Sequence, residues 1–343
     1  MIYKVSYKTT LPLVKKSPTA YFISDNDDVL NIEFIDGNSN EIIESKNVKS
    51  GEFVYGGRQW FTNWIVNFKD LNGNILYQDK FNPSNKPVFI KIDAFALGDN
   101  IAWMPYIEEF RVKHKCNIIC STFWNNLFEN VYTDILFVPP NTPISNVYVQ
   151  YYIGTKDEIN LCYTPTNHLE KPLQKVATDI LGLEFQEIKP KIQLPRKIKT
   201  DKPYVCISEK ASTHIKEWNG DWQKVVDYLN SIGYKVLVIS KEPTTLKNII
   251  DKTGNIPIEE RVKDLVSCDF FIGVSSGLSW LAWASNIHTF LISDFTPSNH
   301  EFKSNCTRIY SENCVKKITN EVNKKSKIKA YDVILEIKKY LNK

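Results

Sequence analysis

The sequence predicts an α/β protein, with two α/β units facing one cleft behind a small N-terminal β domain. Three observations carry this expectation. Residues 1–85 hold short aromatic and β-branched runs set apart by turn residues. From Pro87 onward short apolar runs alternate with helical patterns, as in parallel βαβ units. The chain of 343 residues is also longer than one hydrophobic core usually serves.

Taken in order, residues 1–85 form the β domain, a barrel or a sandwich. Its predicted strands are Ala20–Ile23, Val29–Ile35, Phe53–Tyr55, Trp64–Phe68 and Ile75–Tyr77. Ser24 to Asp27, Asp36 to Asn38 and Asn72 to Asn74 supply the turns between them. The cluster Asn82-Pro83-Ser84-Asn85 marks the boundary. Residues 86–198 form the first α/β unit, with strands at Val88–Ile92, Ile118–Ile119, Asp134–Val138 and Val147–Ile153, and a helix from Ile101 to about Lys115. The basic, Pro-containing stretch Lys189 to Lys202 reads as a linker. Residues 199–326 form the second unit, with strands at Tyr204–Ser208, Lys235–Ser240, Phe270–Val274 and Thr289–Ser293 and helices at Trp222–Ile232 and Leu278–Ala284. Residues 327–343 close the chain as an amphipathic helix, with Ile328, Val333, Ile334, Ile337 and Leu341 at helical spacing.

Composition narrows the function classes. With 43% hydrophobic and 24% charged residues the chain is neither disordered nor fibrous. It has no apolar run long enough to span a bilayer and no visible secretory signal, so a cytoplasmic protein is expected. Seven scattered cysteines suit a reducing compartment. A net charge of +4 with only five arginines argues against a nucleic-acid partner.

Open α/β folds bind ligands at the carboxyl ends of their strands, so the loops there hold the candidate chemistry. In Leu97-Gly98-Asp99, Gly98 permits a tight turn after the strand and Asp99 stands at the next helix N-terminus, as a base for an attacking hydroxyl or as an N-cap. Asp93 is a second carboxylate nearby. The stretch SEKASTHIKEW, Ser208 to Trp218, offers the hydroxyls of Ser212 and Thr213 and the charges of Lys210 and Lys216, which suit a diphosphate as well as an ordinary polar loop. In FIGVSSGLSWLAWA, from Phe271 to Ala284, a strand ends in Ser275-Ser276-Gly277 and opens a helix, a phosphate cradle without a P-loop lysine. Trp280 and Trp283 are expected to pack. The G-x-S-x-G there has no acid and His in the order a hydrolase triad requires. Ser293 to Pro297 is a fourth loop aimed at the same cleft. No metal site is expected: Cys306 and Cys314 stand eight apart without close partners, and the remaining thiols lie in or near apolar runs.

Together these segments resemble the lipopolysaccharide heptosyltransferases, and more closely the bacterial protein O-heptosyltransferases that glycosylate autotransporters. The resemblance runs from about Pro87 to Thr296, through IDAFALGDNIAWMPYIEEF (92–110), STFWNNLFE (121–129), ASTHIKEWN (211–219) and FIGVSSGLSWLAWA. It implies the GT-B architecture of two Rossmann-like domains, and inverting, metal-independent transfer of heptose from ADP-heptose to Ser or Thr of a bacterial protein. It makes Asp99 the general base and Lys216 the support of the donor diphosphate. Ser212, Thr213, Trp218, Ser275, Ser276, Gly277, Leu278 and Thr296 are then donor-binding, with Gly98, Asp93 and Lys210 as further candidates. The β domain also fits the protein-modifying branch.

Two departures stand out. Ser275 occupies the place of an Asp in the lipopolysaccharide enzymes. The four-cysteine iron motif of the protein-modifying branch is absent, with at most Cys314 and Cys306 retained, so no cofactor and no iron are expected and the ring-like oligomer that goes with iron is in doubt. A homo-oligomer through the β domain stays open, as do another nucleotide sugar, a glycan or nucleic-acid acceptor, and a non-catalytic sugar-nucleotide-binding subunit.

Overall fold

A computed structural model describes residues 1–8, 17–155, 171–197, 203–310 and 326–342. The N-terminal region is two antiparallel sheets. Strands β1 (Ile2–Ser6), β2 (Ser17–Ile23) and β5 (Val54–Arg58) form one, in the order β1-β2-β5. Strands β3 (Val29–Asp36), β4 (Glu41–Lys49), β6 (Trp64–Lys69) and β7 (Ile75–Lys80) form the other, in the order β4-β3-β6-β7. Aromatic residues join the two: Tyr3 of β1 meets Phe68 edge-on at 5.1 Å and stacks on Tyr77 at 4.9 Å. At the β6–β7 turn, Asp70 accepts the backbone N–H groups of Asn72 and Asn74, and Gly73 takes the left-handed conformation (φ +89°) that this tight reversal needs.

Strands β1 and β4 lie outside the predicted set. β4 is exposed along nearly its whole length, with only Val48 buried, so it carries no apolar alternation.

The first α/β unit holds β8 (Pro87–Ile92), α1 (Leu97–His114), β9 (Asn117–Ser121), the short α2 (Asn125–Phe128), β10 (Ile135–Val138), β11 (Val149–Ile153) and α3 (Leu173–Leu181). Its four strands are all parallel, ordered β10-β9-β8-β11. The second unit holds β12 (Tyr204–Ser208), α4 (Trp222–Ser231), β13 (Lys235–Val238), β14 (Ile250–Asp251), α5 (Ile258–Ser267), β15 (Phe270–Val274), α6 (Gly277–Ala284), β16 (His288–Ile292) and β17 (Cys306–Ile309). Its parallel order is β14-β13-β12-β15-β16-β17. Counted from β12 as the first strand, this is the Rossmann order 3-2-1-4-5-6, and the first sheet reads 3-2-1-4. The switch points lie between β8 and β11 and between β12 and β15. The loops after β8, β12 and β15 therefore open on the ligand crevice of this fold class.

Packing follows from composition. β8, β12 and β15 are almost wholly apolar and buried, as parallel strands covered on both faces must be. α1 is buried from Ile101 to Ile107 and again at Phe110, because it is covered by α3 and α6 as well as by its own sheet. The predicted linker carries no helix or strand over residues 189–197; Ile192 is buried, and Tyr132 accepts the backbone N–H of Lys191. The closing helix α7 (Ala330–Leu341) buries Val333 and Ile337 against the second unit. No described helix is long and apolar enough to cross a membrane.

Candidate functional site

Helices α1 and α6 begin at the same place. Each starts at the carboxyl end of a central strand, and their first turns touch. A Cβ added to Gly277 would lie 2.8 Å from Cβ of Leu97 and 3.3 Å from the backbone N of Gly98. One added to Gly98 would lie 2.9 Å from the Trp280 ring. Neither glycine has positive φ, so both serve close approach and not the turn expected at Gly98. The helix ends bring free backbone N–H groups, and the positive ends of two helix dipoles, to one point.

Asp99 sits in the first turn of α1. The helix begins at Leu97, four residues before the predicted Ile101, and its N-cap is Ala96 with no side-chain capping bond. Asp99 is therefore not an N-cap. Its carboxyl makes no hydrogen bond with a described residue. Burial pushes it up to about 6, and the ammonium of Lys216 across the cleft pulls it the other way. The loop before it is fastened by Asn100, which the sequence did not single out: its Nδ2 donates to the carbonyls of Ala94 and Ala96, both at 2.8 Å. Asp93 is exposed and ion-paired with Lys91 at 2.7 Å.

After β12 the chain makes one 3₁₀ turn, His214–Lys216. Lys216 is half-buried and forms no salt bridge with a described residue, whereas Lys210 faces Glu217 at 3.6 Å. Ser212 and Thr213 are exposed. Trp218 is turned away from solvent: it is buried, packs edge-on against Trp222 at 5.0 Å, and donates its indole N–H to the Ile328 carbonyl at 3.0 Å. It fastens the segment before α7, and that placement replaces the donor contact expected for it.

After β15, Ser275 is buried and Ser276, Gly277 and Leu278 are half-buried. Ser276 is the N-cap residue of α6, yet its Oγ is buried with no partner among the described residues. A buried hydroxyl without a partner at a helix N-terminus suits an incoming anion. Ser275 and Thr296 are both bound to Glu301, which sequence reasoning missed: Ser275 Oγ donates to Glu301 Oε1 at 2.5 Å and Thr296 Oγ1 donates to the same oxygen at 2.7 Å. Arg308 pairs with the other carboxylate oxygen and donates to the Thr296 carbonyl at 3.0 Å. Arg308, His300 and Ser275 hold the Glu301 carboxyl below its ordinary value despite burial. Trp280 and Trp283 pack, as expected, around Phe302.

The structure thus brings Asp99, Lys216 and the α6 N-terminus together. It leaves Asp93, Lys210 and Trp218 engaged elsewhere and encloses Ser275 and Thr296 in a buried network.

The profile of glycosyltransferase family 9 (heptosyltransferase) matches residues 166–334. The chain is 33% identical over 286 residues to the autotransporter heptosyltransferase Aah of Escherichia coli, covering 79% of this chain and 73% of Aah. It superposes on TibC from enterotoxigenic E. coli H10407, an iron-containing dodecameric glycosyltransferase, with a TM-score of 0.79 and 26% identity, over 89% of this chain and 81% of TibC. The structure of TibC in complex with ADP-D-β-D-heptose matches at a TM-score of 0.77, again at 26% identity and with the same coverage. The architecture is accordingly that of the GT-B-like heptosyltransferases.

TibC contains iron, and the described residues of this chain can be compared with the donors a metal needs. Among the described residues no three His, Cys, Asp or Glu side chains are placed to hold a metal ion. Burial pushes the Cys306 thiol up to about 12, which keeps it protonated and a poor ligand at neutral pH. Cys314 and Cys162 lie outside the described residues, and the other four thiols are free and buried.

Proposed function

The chain belongs to the autotransporter heptosyltransferases of glycosyltransferase family 9, and from that membership we propose that it transfers heptose from ADP-heptose to Ser or Thr hydroxyls of an autotransporter-like protein. The observation that carries this reading is Asp99, a carboxyl held near neutrality in the first turn of α1, within reach of the Lys216 charge and beside the start of α6.

The reaction is a single displacement that inverts the anomeric carbon. Asp99 takes the proton of the acceptor hydroxyl as its oxygen attacks. Negative charge grows on the departing ADP, where Lys216, the free amides at Ser276 and Gly277, and the Ser276 hydroxyl receive it. Ser212, Thr213 and Leu278 line the donor side. Ser275 and Thr296 act through Glu301, holding the loop and not touching the sugar. Gly98 and Gly277 keep the two helix ends close enough to share one substrate.

This arrangement handles the diphosphate charge with a cation and helix amides, and we assign no step to a metal. The two cysteines retained near the C-terminus, Cys306 and Cys314, are too few for a four-cysteine iron site. The reading places the reaction in the cytoplasm, with the donor. It also allows association of copies through the N-terminal sheets, where edge strand β7 exposes Ile75 and Leu76.

A thermal-shift panel with ADP-heptose and other ADP-, UDP- and GDP-sugars tests the donor. Stabilisation by ADP-heptose above all others is expected; a stronger response to another nucleotide sugar would displace heptose.

A further inference from the structure

Two exposed aromatic rings stand together on the carboxyl edge of the first sheet. Phe95, in the loop after β8, is 74% exposed, and Phe123, in the loop after β9, is 38% exposed. Their ring centroids lie 5.1 Å apart, edge to face. Single exposed apolar residues are common on protein surfaces, but a pair gathered from two loops makes a patch.

The loops do not expose these rings through slackness. The carbonyls of Ala94 and Ala96, on either side of Phe95, both accept from Asn100 Nδ2, and the Phe95 carbonyl accepts the Trp124 indole N–H at 3.0 Å. The Asp93 N–H, at the start of the same loop, donates to the Ile153 carbonyl at 2.8 Å. Around Phe123, the Trp124 N–H donates to Thr122 Oγ1 at 2.8 Å and the Thr122 N–H to Asn125 Oδ1 at 3.0 Å. Asn125 Nδ2 donates in turn to the Val138 carbonyl at 2.7 Å. These bonds tie both loops to the sheet and, through Trp124, to each other. Neither ring gives the fold the burial it could, so the loops hold an apolar surface in water.

Asp99 stands on the same segment, four positions after Phe95. Their Cα atoms are therefore at most about 14 Å apart, which an extended polypeptide covers in about four residues. Lys216 and the α6 amides suit a diphosphate, whereas two rings without a polar atom offer it nothing. Of the two substrates, the polypeptide is the one that carries aliphatic side chains.

Resting on the acceptor reading above, we propose that Phe95 and Phe123 are specificity-determining residues for the acceptor. Together they take an apolar side chain lying within about four residues of the Ser or Thr whose hydroxyl Asp99 deprotonates. The contact aligns the acceptor chain along the loop and leaves the donor contacts untouched.

Steady-state kinetics of the full chain with ADP-heptose and an autotransporter passenger segment test this, with the modified residues mapped by mass spectrometry. Each modified Ser or Thr should have an apolar residue within about four positions. Phe95→Ser should raise KM for the acceptor about tenfold, the usual loss for leaving one apolar side chain in water, while KM for ADP-heptose and kcat stay within about twofold. Phe95→Leu, still apolar, should recover most of the loss, and Phe123→Ser should repeat the pattern. Changing the apolar neighbours of a mapped site to Asn should cost the wild type about as much and cost Phe95→Ser little more, whereas a merely structural role would penalise both passengers alike. An acceptor KM in Phe95→Ser within about twofold of wild type, a raised KM for ADP-heptose instead, or modified sites without apolar neighbours would overturn the assignment and leave the transferase reading standing. A wild-type chain that glycosylates no passenger residue would overturn the acceptor reading and this assignment with it.

Discussion

Gly277 lies against the backbone of Gly98: a side chain on Gly277 would meet the amide nitrogen of Gly98 at 3.3 Å and the Leu97 Cβ at 2.8 Å. This contact sets how closely the α6 amides approach Asp99. Gly277→Ala should therefore force the two helix ends apart. The expected cost is about 1–3 kcal/mol of stability, the usual range for overpacking, with a loss of at least about tenfold in kcat/KM. Melting curves and steady-state kinetics check both.

Asp99 gives a prediction of opposite sign for stability. Its carboxyl is raised in the folded state to about 6, so between about pH 4 and 6 the folded chain binds more protons than the unfolded chain. Stability from this group falls as pH rises through that window and stays lower above it. Asp99→Asn should melt above wild type at pH 7.5, by up to about 3 kcal/mol, and the two should converge near pH 4. Differential scanning calorimetry at the two pH values measures it.

The same carboxyl should appear in the rate. With Asp99 as base, kcat/KM should rise with pH through about 6 as the carboxyl deprotonates. Lys216 opposes the upward shift, so Lys216→Met should move this acid limb to higher pH as well as lowering kcat/KM by about a hundredfold. An unmoved limb in the variant would separate the two residues. A pH–rate profile of each protein distinguishes the cases.

The Glu301–Arg308 pair predicts a structural cost. Glu301→Gln leaves the Arg308 charge buried and short of its partner, and breaking such a pair typically costs about 3–5 kcal/mol. The Glu301 carboxyl is held below its ordinary value, so its contribution is present above about pH 4 and is lost as pH falls through the lowered folded value. The gap between wild type and variant in urea melts should narrow on acidification.

The strands that build the site were legible because their residues are apolar on both faces and end in turn or hydroxyl residues: β8, β12 and β15 each begin and end within a residue or so of expectation. Elements with mixed surfaces were harder. α5 has Ile258, Val262, Leu265 and Val266 at helical spacing, and α3 has Leu173, Val176, Ala177 and Ile180, a signal that could have found both. β4 has no such signal, since solvent covers it. At the site, Asp99 and Lys216 were visible as polar residues after strands. Glu301 was not, because its meaning depends on Ser275, twenty-six positions earlier, reached only through the fold. Trp218 misled for the converse reason: its neighbours in sequence are polar, but its contacts are Trp222 and Ile328.

The most direct test is the rate of ADP formation from ADP-heptose in the presence of an autotransporter passenger segment, for wild type and Asp99→Asn. A transferase that uses Asp99 as its base predicts glycosylated acceptor and equimolar ADP with wild type, and a rate lower by about a hundredfold or more in Asp99→Asn at unchanged ADP affinity. Wild-type turnover in Asp99→Asn, or tight ADP-heptose binding with no ADP formed by the wild-type chain, would contradict it.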